Sequence, residues 1–488
     1  MKLRLQAMLV LGLFFCSPAL WADVDPMSQM KDFMASVSKQ MATMQKTIEQ
    51  QGKVINQQNE KIEQLQRYQP QVQMGAPSSD GTAQMTQSDF DNKLKDSIGD
   101  ASKWLKDLKF AGDYRLRYES FQNESGNPSE TDPRNRFRMR LRYGFEKTLP
   151  SDFKVGFSMA TGEVAGTGND SGLQVDPTST NQSFDNLFNF KDIWIEKAYA
   201  TYTPAWALVL PIINKLTLSA GKVANPFEKG SSDMVWDRDV KPEGAFEQID
   251  FNIFDSPSVS VKAYGLAGQF ILDEDSSSAP HMDSKLFAYQ AGFDIVGDVG
   301  LEQPVGWSTA FSYYTYPDFA ENGNFLIGAT SLARGNSNMD ANALELDADD
   351  FKVFEIYNEL KLHIGEVPVN PFFDVAHNAG SNVTTQDDET WAYSLGTKIG
   401  GIKKKGDWEV SYAYKRIENN SVAAIFTDSD FGLGHAGKAG SQFKLGYGLT
   451  DNLTLNGAAW FVDNLTSGTG GVRDERQNRF QADLVWKF

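Results

Sequence analysis

The 488-residue chain has one cysteine, Cys16, and only four histidines. A single thiol leaves no disulfide framework. His281, His363, His377 and His435 lie far apart, outside any HExxH spacing and away from any serine nucleophile motif. Catalysis is therefore not expected. No second apolar run beyond the N-terminus is long enough for a membrane-spanning helix, which excludes a helical transporter. Basic charge is scarce: 46 Lys and Arg stand against 64 Asp and Glu, for a net −18. Nucleic acid needs a basic surface, so it is not an expected partner. The loop glycines at 166–170 and 468–471 lack the strand-to-helix context of a phosphate loop. Acidic residues at 272–275 and 346–350 have the oxygen ligands calcium takes, but solvated loops explain them more simply. No cofactor or metal is expected.

What is abundant is glycine, at 41 residues, and aromatic side chains, at 12%. That mixture suits strands joined by many turns. At the N-terminus, Lys2 and Arg4 precede an apolar stretch at 5–15, and small residues lead to Ala22. This pattern predicts an export signal over 1–22, cleaved after Ala22. Cleavage removes Cys16 and leaves 44 basic against 64 acidic residues, a balance of −20.

Residues 23–69 carry heptads. Met27, Met34, Met41, Ile48, Ile55 and Ile62 occupy one seam position; Met30, Val37, Met44 and Leu65 occupy the other, with Gln51 and Gln58 between them. The spacing predicts a self-associating coiled coil of roughly 60 Å, whose Met and Gln seam does not choose the oligomer number. A polar Pro- and Gly-containing linker follows from 70. Phe90, Leu94, Ile98, Ala101, Leu105 and Leu108 then predict a short amphipathic helix, so that 70–109 is connecting structure.

From Phe110 the period changes to two. Phe110, Tyr114, Leu116 and Tyr118 oppose Asp113, Arg115, Arg117 and Glu119. Phe137, Met139, Leu141, Tyr143 and Phe145 oppose Arg136, Arg138, Arg140, Arg142 and Glu146. The texture continues to the end, where Phe480, Leu484, Trp486 and Phe488 share one face of 479–488. Trp486 and Phe488 suit an interfacial aromatic girdle at a barrel's closing strand. Long polar stretches alternate with short turns: eight of the first and seven of the second, hence about 16 strands, with 14 or 18 also compatible. The fold expected for 110–488 is an all-β transmembrane antiparallel barrel, preceded by the α-helical coiled coil.

The segments FAGDYRLRYE, PRNRFRMRLRYGFE, SMATGE, IEKAYATYTP and AGKVANPF, followed by VNPFFDVAHNAG and DWEVSYAYKRIENNSVAAIFTDSDFG, resemble the putative porin family of Gram-negative bacteria. The resemblance runs over about 110–488. It implies an outer-membrane, water-filled barrel for small hydrophilic solutes, with the helical stretch in the periplasm and trimers as the assembly. It names no solute.

Within that barrel Arg115, Arg117, Arg136, Arg138, Arg140 and Arg142 should face the lumen with Asp113, Glu119 and Glu146, because arginine at the bilayer midplane costs roughly 2–4 kcal/mol. Six guanidinium groups form a basic stripe suited to mild anion preference. Three acids do not balance six arginines, but acids from elsewhere do so if a loop such as 227–243 folds inward. A rival role is an envelope tether, with the barrel as anchor and the coiled coil as arm.

Overall fold

A computed structural model describes residues 107–124, 134–163, 176–209, 211–272, 274, 283–317, 319, 334, 336, 351–380, 389–465 and 476–488. The expected signal, coiled coil, linker and amphipathic helix fall almost wholly outside these residues. So do most of the acidic clusters at 272–275 and 346–350.

The strands run β1 (Leu108–Glu124), β2 (Arg134–Leu149), β3 (Phe153–Thr161), β4 (Gln182–Ser183), β5 (Ile193–Tyr202), β6 (Ile213–Lys222), β7 (Glu243–Asp255), β8 (Val259–Ile271), β9 (Lys285–Gly297), β10 (Val305–Thr315), β11 (Lys352–Ile364), β12 (Val367–Asn378), β13 (Trp391–Gly400), β14 (Trp408–Ile417), β15 (Lys438–Gly448), β16 (Leu453–Asn464) and β17 (Arg476–Lys487). Every pairing is antiparallel, and each long strand pairs with its sequence neighbours. The ring closes where β1 meets β17, from Asp113 opposite Lys487 to Glu124 opposite Arg476. Gly112 and Phe488 exchange backbone hydrogen bonds of 2.9 and 3.1 Å at that seam.

The barrel has 16 full strands. The seventeenth, β4, is a two-residue patch that pairs with Arg138 and Met139 of β2 above the end of β3. The chain leaves the wall after Thr161, returns at Gln182, and β5 then pairs with β3. Two full strands, β10 and β12, show weak alternation in sequence. On β10 the inward face mixes Ser308 and Ser312 with Ala310 and Tyr314, which meet an internal core, so the contrast with the outward face is weak. On β12, Pro368 and Pro371 interrupt the pattern.

The two faces of the wall meet different solvents. Phe110, Tyr114, Tyr118, Phe137, Tyr143 and Phe145 are exposed on the outside, as are Trp486 and Phe488 near the closing strand. Their cross-strand contacts, such as Tyr118–Phe137 at 5.2 Å between rings, form a continuous apolar surface. That surface is what a bilayer requires of a spanning barrel. The alternating residues Arg117, Glu119, Arg138 and Arg140 are buried inside.

The interior is not uniformly polar. The connection 223–242, between β6 and β7, folds into the barrel and buries Phe227, Met234, Val235, Trp236 and Val240. The connection 418–437, between β14 and β15, does the same with Val422, Ala423, Ala424, Ile425 and Phe431. Together with Tyr264, Phe270, Tyr314, Tyr316, Phe319 and Phe351 they form one apolar cluster. Trp236 packs edge-on against Tyr314 at 5.4 Å, and Phe227 does so at 5.8 Å. Gly230 allows the first inward loop to lie against β10, since a Cβ there would overlap that of Ala310.

Candidate pore and its inward loops

Antiparallel register decides which arginines face one another. Arg115 lies opposite Arg140 and Arg117 opposite Arg138, whereas Glu119 lies opposite Arg136 and Asp113 opposite Arg142. Like charges across a strand pair are unfavourable unless counter-charges intervene. The structure supplies them. Asp113 accepts from Arg140 at 2.6 Å and from Arg142 at 2.8 Å. Arg117 forms a two-pronged pair with Asp483 of β17, both bonds 2.8 Å. Arg115 lies 3.9 Å from the same carboxylate and donates to Asn181. Arg138 pairs with Glu163 at 2.9 Å.

Glu119 is 0% exposed and accepts from Arg136, Arg479 and Gln481. Arg479, on β17, is therefore a seventh member of the wall. Its place on the polar face is visible in the sequence, but its neighbours on β1 appear only when the ring closes. Glu146 stands apart from this group. It binds Lys154 at 3.1 Å and accepts from the Tyr199 hydroxyl, beside a separate cavity near the 149–153 turn.

The inward loops reach the same wall. Asp430 lies 2.8 Å from Arg479 and 3.4 Å from Arg117. Asp239 lies 3.5 Å from Arg142, which also lies 3.7 Å from Glu196. Seven arginines thus meet Asp113, Glu119, Glu163, Glu196, Asp239, Asp430 and Asp483. These arginines are therefore compensated rather than free. A guanidinium so paired holds its partner's geometry and contributes little net field.

On the other side Lys415 of β14, buried at 1% exposure, joins both loops to the wall. It pairs with Asp233 at 2.7 Å and Asp428 at 3.1 Å. Burial pushes the Asp233 carboxyl up, but Lys415, Lys444 and Arg238 outweigh it and hold the group well below the usual carboxylate range. Asp430 behaves alike: burial opposes its charge, and Arg479, Arg117 and Arg115 prevail. Asp237 has no such cation. Burial, then Asp239 and Asp428, push it well up, while its oxygens accept from the backbone amides of Asp239 and Ser429.

The loops are anchored to each other and to the strands through further polar contacts. Gln290 donates to the Phe227 and Gly230 carbonyls at 3.0 and 3.3 Å. Ser231 donates to Glu355 at 2.6 Å, and the Ser232 amide to Asp374 at 3.0 Å. Asn336 bridges to the Asn419 and Val422 carbonyls. A sequence signal for these loops exists in retrospect: apolar residues such as Trp236 or Val422–Ile425 inside otherwise polar connections need cover.

Against the two loops and the β11–β17 wall lies a cavity of about 640 Å³, lined largely by charged and polar groups. Among the described residues no group of His, Cys, Asp and Glu has an arrangement that would hold a metal ion.

A family model described as Putative porin matches residues 122–347 and 342–488. No curated protein matches the chain. Among solved structures, the chain is similar to OprB of Pseudomonas putida in its high-pH form, at 14% identity and TM-score 0.45, over 80% of this chain and 97% of that one. OmpF of Salmonella typhi in complex with daunomycin is 10% identical with TM-score 0.42, over 78% and 97%. OmpT of Vibrio cholerae lacking loop L8 is 12% identical with TM-score 0.38, over 78% and 99%. The family match spans well over half of the chain and coincides with a closed barrel that is apolar outside and ion-paired within: the chain belongs to the putative porin family, with a porin-like barrel.

Proposed function

We propose that this protein is a passive channel for small hydrophilic solutes, and not an enzyme. One observation carries the reading: a wide barrel holds a polar cavity beside two inward loops, and the wall around it is charge-balanced. Side chains alone do not fill a barrel of 16 strands. Balanced pairs across a lumen keep it wet and offer polar solutes a path without a dominant sign of charge. The compensation of the seven arginines favours a general pore over one made anion-selective by the stripe. Stepwise conductance of the purified protein in a planar bilayer tests this; a protein that inserts without any conductance leaves the tether role instead.

The finer parts of the reading concern assembly. The channel sits in the outer membrane with the 23–69 coiled coil in the periplasm, where Met34, Val37, Met41, Met44, Ile48, Ile55, Ile62 and Leu65 would form the seam between three copies. Trimers are supported by the family resemblance. Leu187, Phe188 and Phe190, almost fully exposed before β5, offer apolar surface for contacts of that kind. Trp486 and Phe488 would serve in closing and seating the barrel.

A further inference from the structure

Most charged groups that line the large cavity are committed. Asp233 and Asp428 are held by Lys415, Asp430 and Asp483 by arginines, and Lys398 by Glu409 at 2.8 Å. Asp237 is turned into the backbone of the two loops. Among the described residues, and Asp237 aside, two charged groups on this cavity form no direct ion pair: Arg238, which acts on Asp233 only at longer range, and Glu359.

Arg238 is exposed at the tip of the first inward loop. Glu359 stands on β11, where Asn370 donates to one carboxylate oxygen at 3.2 Å and the other oxygen has no donor. Tyr357, two residues before Glu359 on the same face of β11, lines the same cavity as Arg238 and Glu359. The Tyr357 ring stacks with Phe372 at 6.3 Å, giving the cavity an apolar surface beside the two charges.

We propose that Arg238 and Glu359 form a subsite for small zwitterions, solutes that carry one carboxylate and one ammonium group, as α-amino acids do. The inference rests on the pore reading. A guanidinium with its donors free takes a carboxylate in two-pronged fashion. A carboxylate with one oxygen free takes an ammonium group. A simple anion would gain from Arg238 but be opposed by Glu359, and a simple cation would meet the reverse. Only a solute with both charges satisfies both groups, and its carbon skeleton rests on the Tyr357–Phe372 surface.

The test compares wild type, Arg238→Gln and Glu359→Gln in proteoliposome swelling with glycine and with glycolamide, a neutral solute of similar size. Wild type should swell faster in glycine, with a rate ratio above one that falls to one in either variant. In a salt gradient, the zero-current potential of Arg238→Gln should move toward cation preference and that of Glu359→Gln toward anion preference. A wild-type ratio of one, or variants that keep the wild-type ratio, overturns the subsite. Wild-type vesicles that admit neither solute overturn the pore reading itself. Both side chains face the cavity rather than the apolar cluster, so the variants should fold; heat-dependent gel mobility checks that the barrel is intact.

Discussion

Lys415 joins the two inward loops to the wall, and its removal gives the sharpest measure of what holds them there. In Lys415→Met the stem still fills its space, but Asp233 and Asp428 lose their shared ammonium group, which is itself buried while the two carboxylates are partly exposed. Breaking a buried pair by removing one partner costs about 3–5 kcal/mol. Lys444, 3.5 Å from Asp233, recovers part of that for one carboxylate only. At about 1.36 kcal/mol per decade, the docked-to-undocked ratio of the loops should fall by roughly two to nearly four orders of magnitude. Single-channel recording should then show larger and noisier current, because an undocked loop leaves the lumen wider. The triple variant Lys415→Met, Asp233→Asn, Asp428→Asn removes all three charges and should restore quiet current. If Lys415→Met conducts like wild type in an intact barrel, the ion pairs do not hold the loops, and the reasoning fails.

Other consequences follow from the same geometry. Glu119→Gln leaves Arg136 and Arg479 without their shared carboxylate and should destabilise the β1–β2–β17 seam by about 3–5 kcal/mol, read as an earlier heat-induced gel shift; an unchanged shift would mean the seam does not need the pair. Gly230→Ala should cost about 1–3 kcal/mol by overpacking against Ala310, and adding Ala310→Gly should recover part of that stability, since Tyr264 and Gln290 also stand close. His435, depressed to about 4 by burial and then by Lys438 and Arg334, should stay neutral in an NMR titration down to about that pH. Its folded pKa lies below the ordinary 6.5, so its support for the docked 418–437 loop is full above 6.5 and is lost as pH falls from 6.5 toward 4. A midpoint near 6.5 would show the imidazole solvated. Deleting residues 23–88 should leave a barrel that inserts and conducts but assembles poorly; loss of insertion would give the stalk a further role.

The barrel was legible in the sequence because its two environments, lipid and lumen, alternate with every residue of a strand. That local rule places Phe110 and Tyr118 outside and Arg117 and Glu119 inside with no knowledge of partners. Turn and loop lengths, also local, imply 16 strands even where β10 and β12 hide their alternation. What remained illegible depends on contacts between distant segments. Arg117 meets Asp483 across 366 residues of chain, and that meeting exists only once β1 and β17 close the ring. Whether six arginines make a free basic stripe or a balanced wall is therefore a property of the closed barrel. So is the inward course of 223–242 and 418–437, which bury Trp236 and Ile425 against strands far from them in sequence. That Arg238 and Glu359 form no direct ion pair among the described residues follows last of all. A charge is free or paired according to what every other segment brings near it, and no local pattern carries that information.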